Sequence, residues 1–303
     1  MIVFNIVVFH KSIIMHSKYI KPLFITLICF YPLLSLGQTV KTNLVYASIN
    51  ERELLLDLYM PANQINPYLV IWIHGGAWHS GSKKNPPMDL IDKGYAMASV
   101  DYRLSVEAPF PAMIHDIKAA IRYLRGNALK FGYRADQIII WGSSAGGHLA
   151  ALIGTTNGNE ALEGTLGNYL TESSSVQVAI DFYGPTNFQT ILQQSTPHGI
   201  SVRAPALALL LGKPLNQAEG LANLASPFFQ VDASDPPMFI AHGDQDNQVP
   251  VNQSLELKAA YDKNKLKVQL EIVSGAGHGS KDYYTNEFIN KVDLFIKEVL
   301  KDK

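Results

Sequence analysis

Short apolar runs alternate with stretches of helical periodicity along most of this chain. Tyr68 to Ile73, Tyr95 to Val100, Gln137 to Trp141, Val176 to Phe182 and Pro237 to Ala241 are almost continuously apolar, and a Gly, His or Asp follows each within two residues. Strands buried on both faces read this way, with functional loops at their C-terminal ends. Leu54 to Tyr59 alternates apolar and polar residues, as a half-exposed strand does, and Lys267 to Val273 alternates similarly. Between these runs, Ala112 to Phe131, Ser144 to Ile153, Asn252 to Lys263 and Tyr284 to Leu300 space their apolar residues at helical intervals. The pattern predicts an α/β fold: a mostly parallel central sheet with helices on both faces.

One stretch breaks the rhythm. Residues 185–236 contain a helical run, Ala204 to Leu211, but no buried strand. This excursion is expected to complete the helical layer and, lying beyond strand C-termini, to shape the site as a small lid-like insertion. No repeat or long Pro/Gly linker divides the chain, so residues 38–303 are expected to form one domain.

Residues 1–37 have a different character. His16, Lys18 and Lys21 precede an apolar stretch from Leu23 to Leu34, and Ser35-Leu36-Gly37 follows. This predicts a secretory signal peptide cleaved before Gln38 and a secreted or periplasmic product with no stable membrane anchor after cleavage. An uncleaved anchor is the alternative, but the run is short for a span of about 20 residues. A start at Met15 would make the signal tidier. The single cysteine, Cys29, falls inside the apolar stretch. Cleavage would leave neither disulfide nor thiol nucleophile, which excludes cysteine-hydrolase chemistry.

Overall, 47% of residues are hydrophobic and 17% charged, with a formal net charge of −1. That balance fits a globular domain and gives no basic patch for nucleic acid. No Cys/His/Asp cluster has metal-ligand spacing, and no phosphate-binding Gly loop ends in Lys-Ser/Thr, so neither a metal nor another cofactor is expected.

The candidate chemistry sits at the strand ends. Gly142-Ser143-Ser144-Ala145-Gly146 lies between an apolar strand and a small-residue helix. This is the Gly-x-Ser-x-Gly form of a nucleophile elbow, where side chains two before and two after the serine would collide. Ser144 is the predicted nucleophile. A serine hydroxyl needs a base, and the base needs an orienting acid. Downstream come His242-Gly-Asp-Gln-Asp246, with Val249-Pro250 beyond it, and then Gly277-His278-Gly279. The chain order Ser, Asp, His assigns His278 as base and Asp246 as acid. Asp244 competes for the acid role but has the wrong spacing from the Val-Pro pair; a loop-fixing role suits it better.

His74-Gly75-Gly76-Ala77-Trp78 follows the strand predicted over Tyr68 to Ile73. Its glycines suit an oxyanion hole in which the N–H groups of Gly75, Gly76 and Ala145 stabilise developing charge, with Ala77 as a substitute for Gly75. His74 is expected to hold this loop by a hydrogen bond. Trp78 is assigned to the substrate pocket wall, with a half-buried packing role as the alternative. Asp101-Tyr102-Arg103-Leu104 is expected to tie loops together by ion pairing, and His148 to pack under the sheet.

Taken together, these five motifs resemble the bacterial esterases of the α/β-hydrolase fold related to hormone-sensitive lipase. They are most similar to secreted feruloyl- and acetyl-esterase-like enzymes that trim plant polysaccharides. The resemblance covers nearly all of residues 38–303. It implies a serine esterase acting through an acyl-enzyme on small-molecule or oligosaccharide esters. The sequence departs from the family pattern at Ala77, where a third glycine is common. It also leaves little room for large N-terminal cap helices. The same residues would serve an amidase, whether arylformamidase or peptidase; a non-catalytic binding protein would have lost the serine or the histidine. Oligomeric state has no signature in the sequence.

Overall fold

The computed structural model describes residues 38–62 and 64–301; the predicted signal peptide and its cleavage site lie outside the described residues. Eight strands form one sheet: β1 (Thr39–Ile49), β2 (Arg52–Met60), β3 (Tyr68–Ile73), β4 (Ala96–Val100), β5 (Arg134–Ser143), β6 (Val178–Phe182), β7 (Met238–Gly243) and β8 (Val268–Val273). Their spatial order is β1-β2-β4-β3-β5-β6-β7-β8. The pairs β1/β2 and β2/β4 are antiparallel, and every pair from β4 to β8 is parallel.

Alternate residues of the central strands feed two separate cores. Leu69, Ile71 and Ile73 of β3, with Ile138 and Ile140 of β5, belong to one core. Helices α1 (Ala112–Gly126), α2 (Ala145–Gly154), α3 (Pro197–Leu211) and α4 (Asn252–Lys263) contribute to that side. Val70, Trp72, Ile139 and Trp141 face the other core. There they meet α5 (Asn286–Lys301) through Ile289, Val292, Phe295 and Ile296. Burial on both faces is why these strands read as continuous apolar runs.

Two elements differ from expectation. Strand β1 has no clean alternation because two register shifts, between Lys41 and Leu44 and between Val45 and Ala47, break its period. The helix expected over Ala112 to Phe131 stops at Gly126 and resumes as one turn, Ala128–Phe131. Gly126-Asn127 marks that stop.

The excursion at 185–236 consists of helices and loops, without a strand. Leu207, Leu210, Ala222 and Ala225 are buried in the main core, so most of this segment completes the helical layer. Sequence reversal sets the site's place: β3 connects outward to β4, while β5 leads to β6 on the other side. The C-terminal ends of β3 and β5 therefore open onto the crevice where ligands bind in such sheets.

Candidate active site

Ser144 occupies the turn between β5 and α2 with φ 54° and ψ −121°, a conformation rare for a side-chain-bearing residue. Neighbouring glycines make that turn possible. A Cβ built on Gly142 would fall on the backbone of Gly146, and one on Gly146 would fall on the carbonyls of Ile73 and His74. The Ser144 amide donates to Phe182 O at 2.8 Å, fixing the turn to β6.

Beyond β7 and β8, two loops bring the other predicted residues to this serine. Ser144 Oγ lies 2.8 Å from His278 Nε2, and His278 Nδ1 lies 2.7 Å from Asp246 Oδ2. A carboxylate only accepts, so His278 carries its proton on Nδ1 and offers a bare Nε2 to the serine hydroxyl. The Asp246 side chain has no exposed surface, and that of His278 is 11% exposed. Asp246 Oδ1 accepts from the amides of Gln248 and Val249 at 2.8 and 2.9 Å. His242 also approaches Oδ2, with Nε2 at 3.5 Å. Burial alone would raise the Asp246 pKa, but hydrogen bonds from His242, His278 and the Val249 amide outweigh it and hold the carboxyl well below its ordinary range. The group is therefore a fixed negative charge under the imidazole. Asp244, the competitor, instead accepts from the Gly275 amide at 2.8 Å and ties the two loops together.

Facing Ser144 is the loop after β3. Gly76 O is held by the amides of His79 and Ser80, and His74 Nδ1 donates to Gly75 O at 2.7 Å. The His74 ring stacks on Tyr102 at 4.3 Å, and the Tyr102 hydroxyl donates to His74 O. These bonds occupy the carbonyls. Among the described residues no protein acceptor takes the amides of Gly75, Gly76 or Ala145, which suits them to an incoming oxyanion. Ala77, the departure from a third glycine, sits at φ 49°, in the left-handed region that glycine prefers.

Trp78 does not line the pocket. It is completely buried, its Nε1–H donating to His148 Nδ1 at 3.0 Å while His148 Nε2 donates to Ala225 O at 2.7 Å. Burial outweighs the Ala225 bond and lowers the His148 pKa to about 4, so a neutral imidazole joins the loop after β3, the α2 helix and the excursion. Arg103 makes the expected ion pair, with Asp116 at 2.7 Å, while Asp101 accepts from the Lys83 amide.

The resulting cleft, about 400 Å³, is bordered by Gly75, Gly76, Ser144 and His278. Sequence reasoning missed other lining residues, Tyr183, Val202, Arg203 and Gln248 among them. The Tyr183 ring meets His278 edge-on at 5.0 Å. A larger groove of about 740 Å³ lies at the opposite ends of β3 and β5, beside Tyr68 and Arg134, without a nucleophile–base pair. No metal-binding group of His, Cys, Asp or Glu occurs among the described residues. No helix among them is long and apolar enough to cross a membrane.

Known proteins share this fold. A carbohydrate esterase from gut microbiota, solved in truncated form, is 35% identical, with a TM-score of 0.80 over 88% of this chain and 98% of that one. A thermophilic esterase of the planctomycete Thermogutta terrifontis, solved with propionate bound, is 27% identical, with a TM-score of 0.68 over 87% of this chain and 94% of that one. Esterase LipC of Mycobacterium tuberculosis is 29% identical over 218 residues, 70% of this chain and 52% of that protein. The chain spans about half the length of the curated relatives it matches. Over residues 56–261 it matches the family described as BD-FAE, and it belongs to that family of α/β-hydrolase esterases.

Proposed function

We propose that this protein hydrolyses carboxylic esters by serine catalysis and that its substrates are acylated carbohydrates, with acetyl or feruloyl as the acyl group. The observation that carries the mechanism is the unbroken line from Ser144 Oγ through His278 to Asp246, facing amides with no protein acceptor among the described residues. His278 Nε2 takes the Ser144 proton as Oγ attacks the ester carbonyl. The amides of Gly75, Gly76 and Ala145 receive the oxyanion. The tetrahedral species expels the alcohol, protonated by His278, and leaves an acyl-serine. Water, deprotonated by the same imidazole, then releases the acid. Asp246 holds the ring in the required tautomer and stabilises its charged form.

The carbohydrate part of the proposal is supported by the gut-microbial carbohydrate esterase among its relatives. The propionate-bound relative is consistent with a short acyl pocket. The relatives named for an activity are esterases, which favours esters over amides. Export to the periplasm or exterior, as the first 37 residues suggest, fits a polysaccharide-derived substrate.

The test is release of acetate and ferulate from acetylated and feruloylated xylan fragments, with Ser144→Ala alongside. Release that disappears in the variant is expected. Cleavage of small aryl esters without any release from the fragments would remove the carbohydrate assignment. Mass determination of the secreted product checks export: an N-terminus at Gln38 is expected.

A further inference from the structure

A second imidazole stands behind the acid, and no reaction step employs it. His242, near the end of β7, and Ser254, in the first turn of α4, are both completely buried. His242 Nδ1 lies 2.6 Å from Ser254 Oγ, and Nε2 lies 2.9 Å from the carbonyl oxygen of Val249. A carbonyl only accepts, so Nε2 carries a proton. The Ser254 hydroxyl has no other partner among the described residues. A buried hydroxyl needs an acceptor for its proton, so Ser254 donates to a bare Nδ1 and the ring is neutral. These two opposed bonds fix both the tautomer and the orientation of the ring. The Nε2–H edge also stands 3.5 Å from Asp246 Oδ2, the oxygen that accepts from His278. Val249, whose carbonyl it holds, sends its own amide to the other oxygen, Oδ1, at 2.9 Å. An apolar side chain could fill this space without the desolvation cost of an imidazole, but it would leave the Val249 carbonyl and Oδ2 without this donor.

We infer that His242 is a positioning residue of the hydrolysis: in the tautomer set by Ser254, it holds Asp246 in the orientation that keeps a proton on His278 Nδ1 and leaves Nε2 bare for Ser144. The inference deepens the serine-esterase reading above and rests on it. It has a signed consequence. A carboxylate with one donor fewer is more basic and holds protonated His278 more tightly. Removing the His242 N–H therefore moves the acid limb of the kcat/KM–pH profile to higher pH. Mere displacement of the loop acts in the opposite sense: Asp246 leaves His278, and the limb moves to lower pH. Arg203, Tyr183 and Tyr283 also face Asp246, from α3, the end of β6 and the segment after β8, and Asp181 faces His242 from β6. All four are retained in the variants that test the inference.

The test sets His242→Leu beside His242→Gln in the full-length chain, with p-nitrophenyl acetate as substrate and unfolding midpoints measured for each. Glutamine keeps an N–H donor at about the reach of Nε2, whereas leucine keeps only bulk. Leucine is expected to lower kcat about 10- to 100-fold with KM within about twofold, the range for losing a hydrogen bond to a charged group, and to move the acid limb to higher pH. Glutamine is expected to restore kcat to within about fivefold of wild type. A folded His242→Leu with wild-type kcat and acid limb overturns the inference. So does a limb that moves to lower pH, or a loss that glutamine does not restore. Should the leucine variant not fold, nitrogen-15 NMR of the wild type decides: Nε2 protonated and Nδ1 bare on His242 at neutral pH is expected, and the opposite tautomer or a doubly protonated ring overturns the inference. Absence of Ser144-dependent hydrolysis in the wild type overturns the esterase reading, and this inference with it.

Discussion

Replacing Asp246 with asparagine tests the hydrogen-bond logic of the site with almost no change in shape. Four N–H groups converge on this carboxylate. The amides of Gln248 and Val249 reach Oδ1, His278 Nδ1 reaches Oδ2, and His242 Nε2 stands 3.5 Å from the same oxygen. His242 Nε2 bears a proton because it donates to the carbonyl of Val249 at 2.9 Å. An asparagine has one oxygen and cannot satisfy both sides. The two backbone donors are fixed, so the side-chain oxygen settles on them and the NH2 faces His278. The imidazole must then bare Nδ1 and protonate Nε2, the nitrogen that has to accept the serine proton. A wrong tautomer in such a triad lowers kcat about 10⁴-fold, equivalent to about 5 kcal/mol of barrier. The assay is kcat for p-nitrophenyl acetate at neutral pH, with unfolding midpoints to establish that the variant is folded. A folded Asp246→Asn enzyme within about tenfold of wild type would refute the assignment of the acid and of the tautomer. Asp244→Asn is the comparison: its oxygen still accepts from Gly275, so a loss of no more than about threefold is expected.

Other consequences are checked more briefly. Trp78→Phe removes the donor to the buried His148 Nδ1 and should lower unfolding free energy by about 1–3 kcal/mol while leaving the acyl-chain profile of hydrolysis unchanged; chemical denaturation and an ester-length series read both. Asp181 is completely buried, and desolvation, partly offset by the Gly184 amide, raises its pKa from 3.8 to about 6. The folded state holds this proton more tightly, so the stability it contributes is full below pH 3.8 and lost as pH rises through about 6. Asp181→Asn should remove that dependence, worth about 3 kcal/mol from the pKa difference, and a difference between the two stability–pH curves that does not change across this window would contradict it. Gly146→Ala places a methyl group on the carbonyls of Ile73 and His74 and should abolish soluble, active enzyme. Gly220→Ala, in a short helix with nothing within 4 Å of the added carbon, should instead stabilise by about 0.5–1 kcal/mol in thermal melts.

The parallel part of the fold was legible because burial on both faces writes itself as uninterrupted apolar sequence. Residues Tyr68 to Ile73 match β3 end to end. Ser144, Asp246 and His278 could be picked out because each follows a strand closely, and strand ends in a parallel sheet share one edge. Local motifs therefore implied a meeting of residues 134 positions apart. Strand β1 was not legible: it is antiparallel, mostly exposed and twice shifted in register, so its residues follow no period of two.

Trp78 and Arg203 escaped for a different reason, since motif and spacing give position in the chain but not the direction of a side chain. Trp78 sits at φ 61° immediately after Ala77 at φ 49°, and this pair of left-handed residues turns the indole inward. Its partner, His148, is 70 residues away, so no local pattern announces the bond. Arg203 stands just ahead of an apolar helical run, where a cation most often reaches solvent along its stem. Here the excursion folds it against the loop of Asp246 through Gln248. Backbone motifs thus place Ser144, Asp246 and His278 at one edge of the sheet, whereas the walls of the cleft come from residues that distant segments bring within reach of one another.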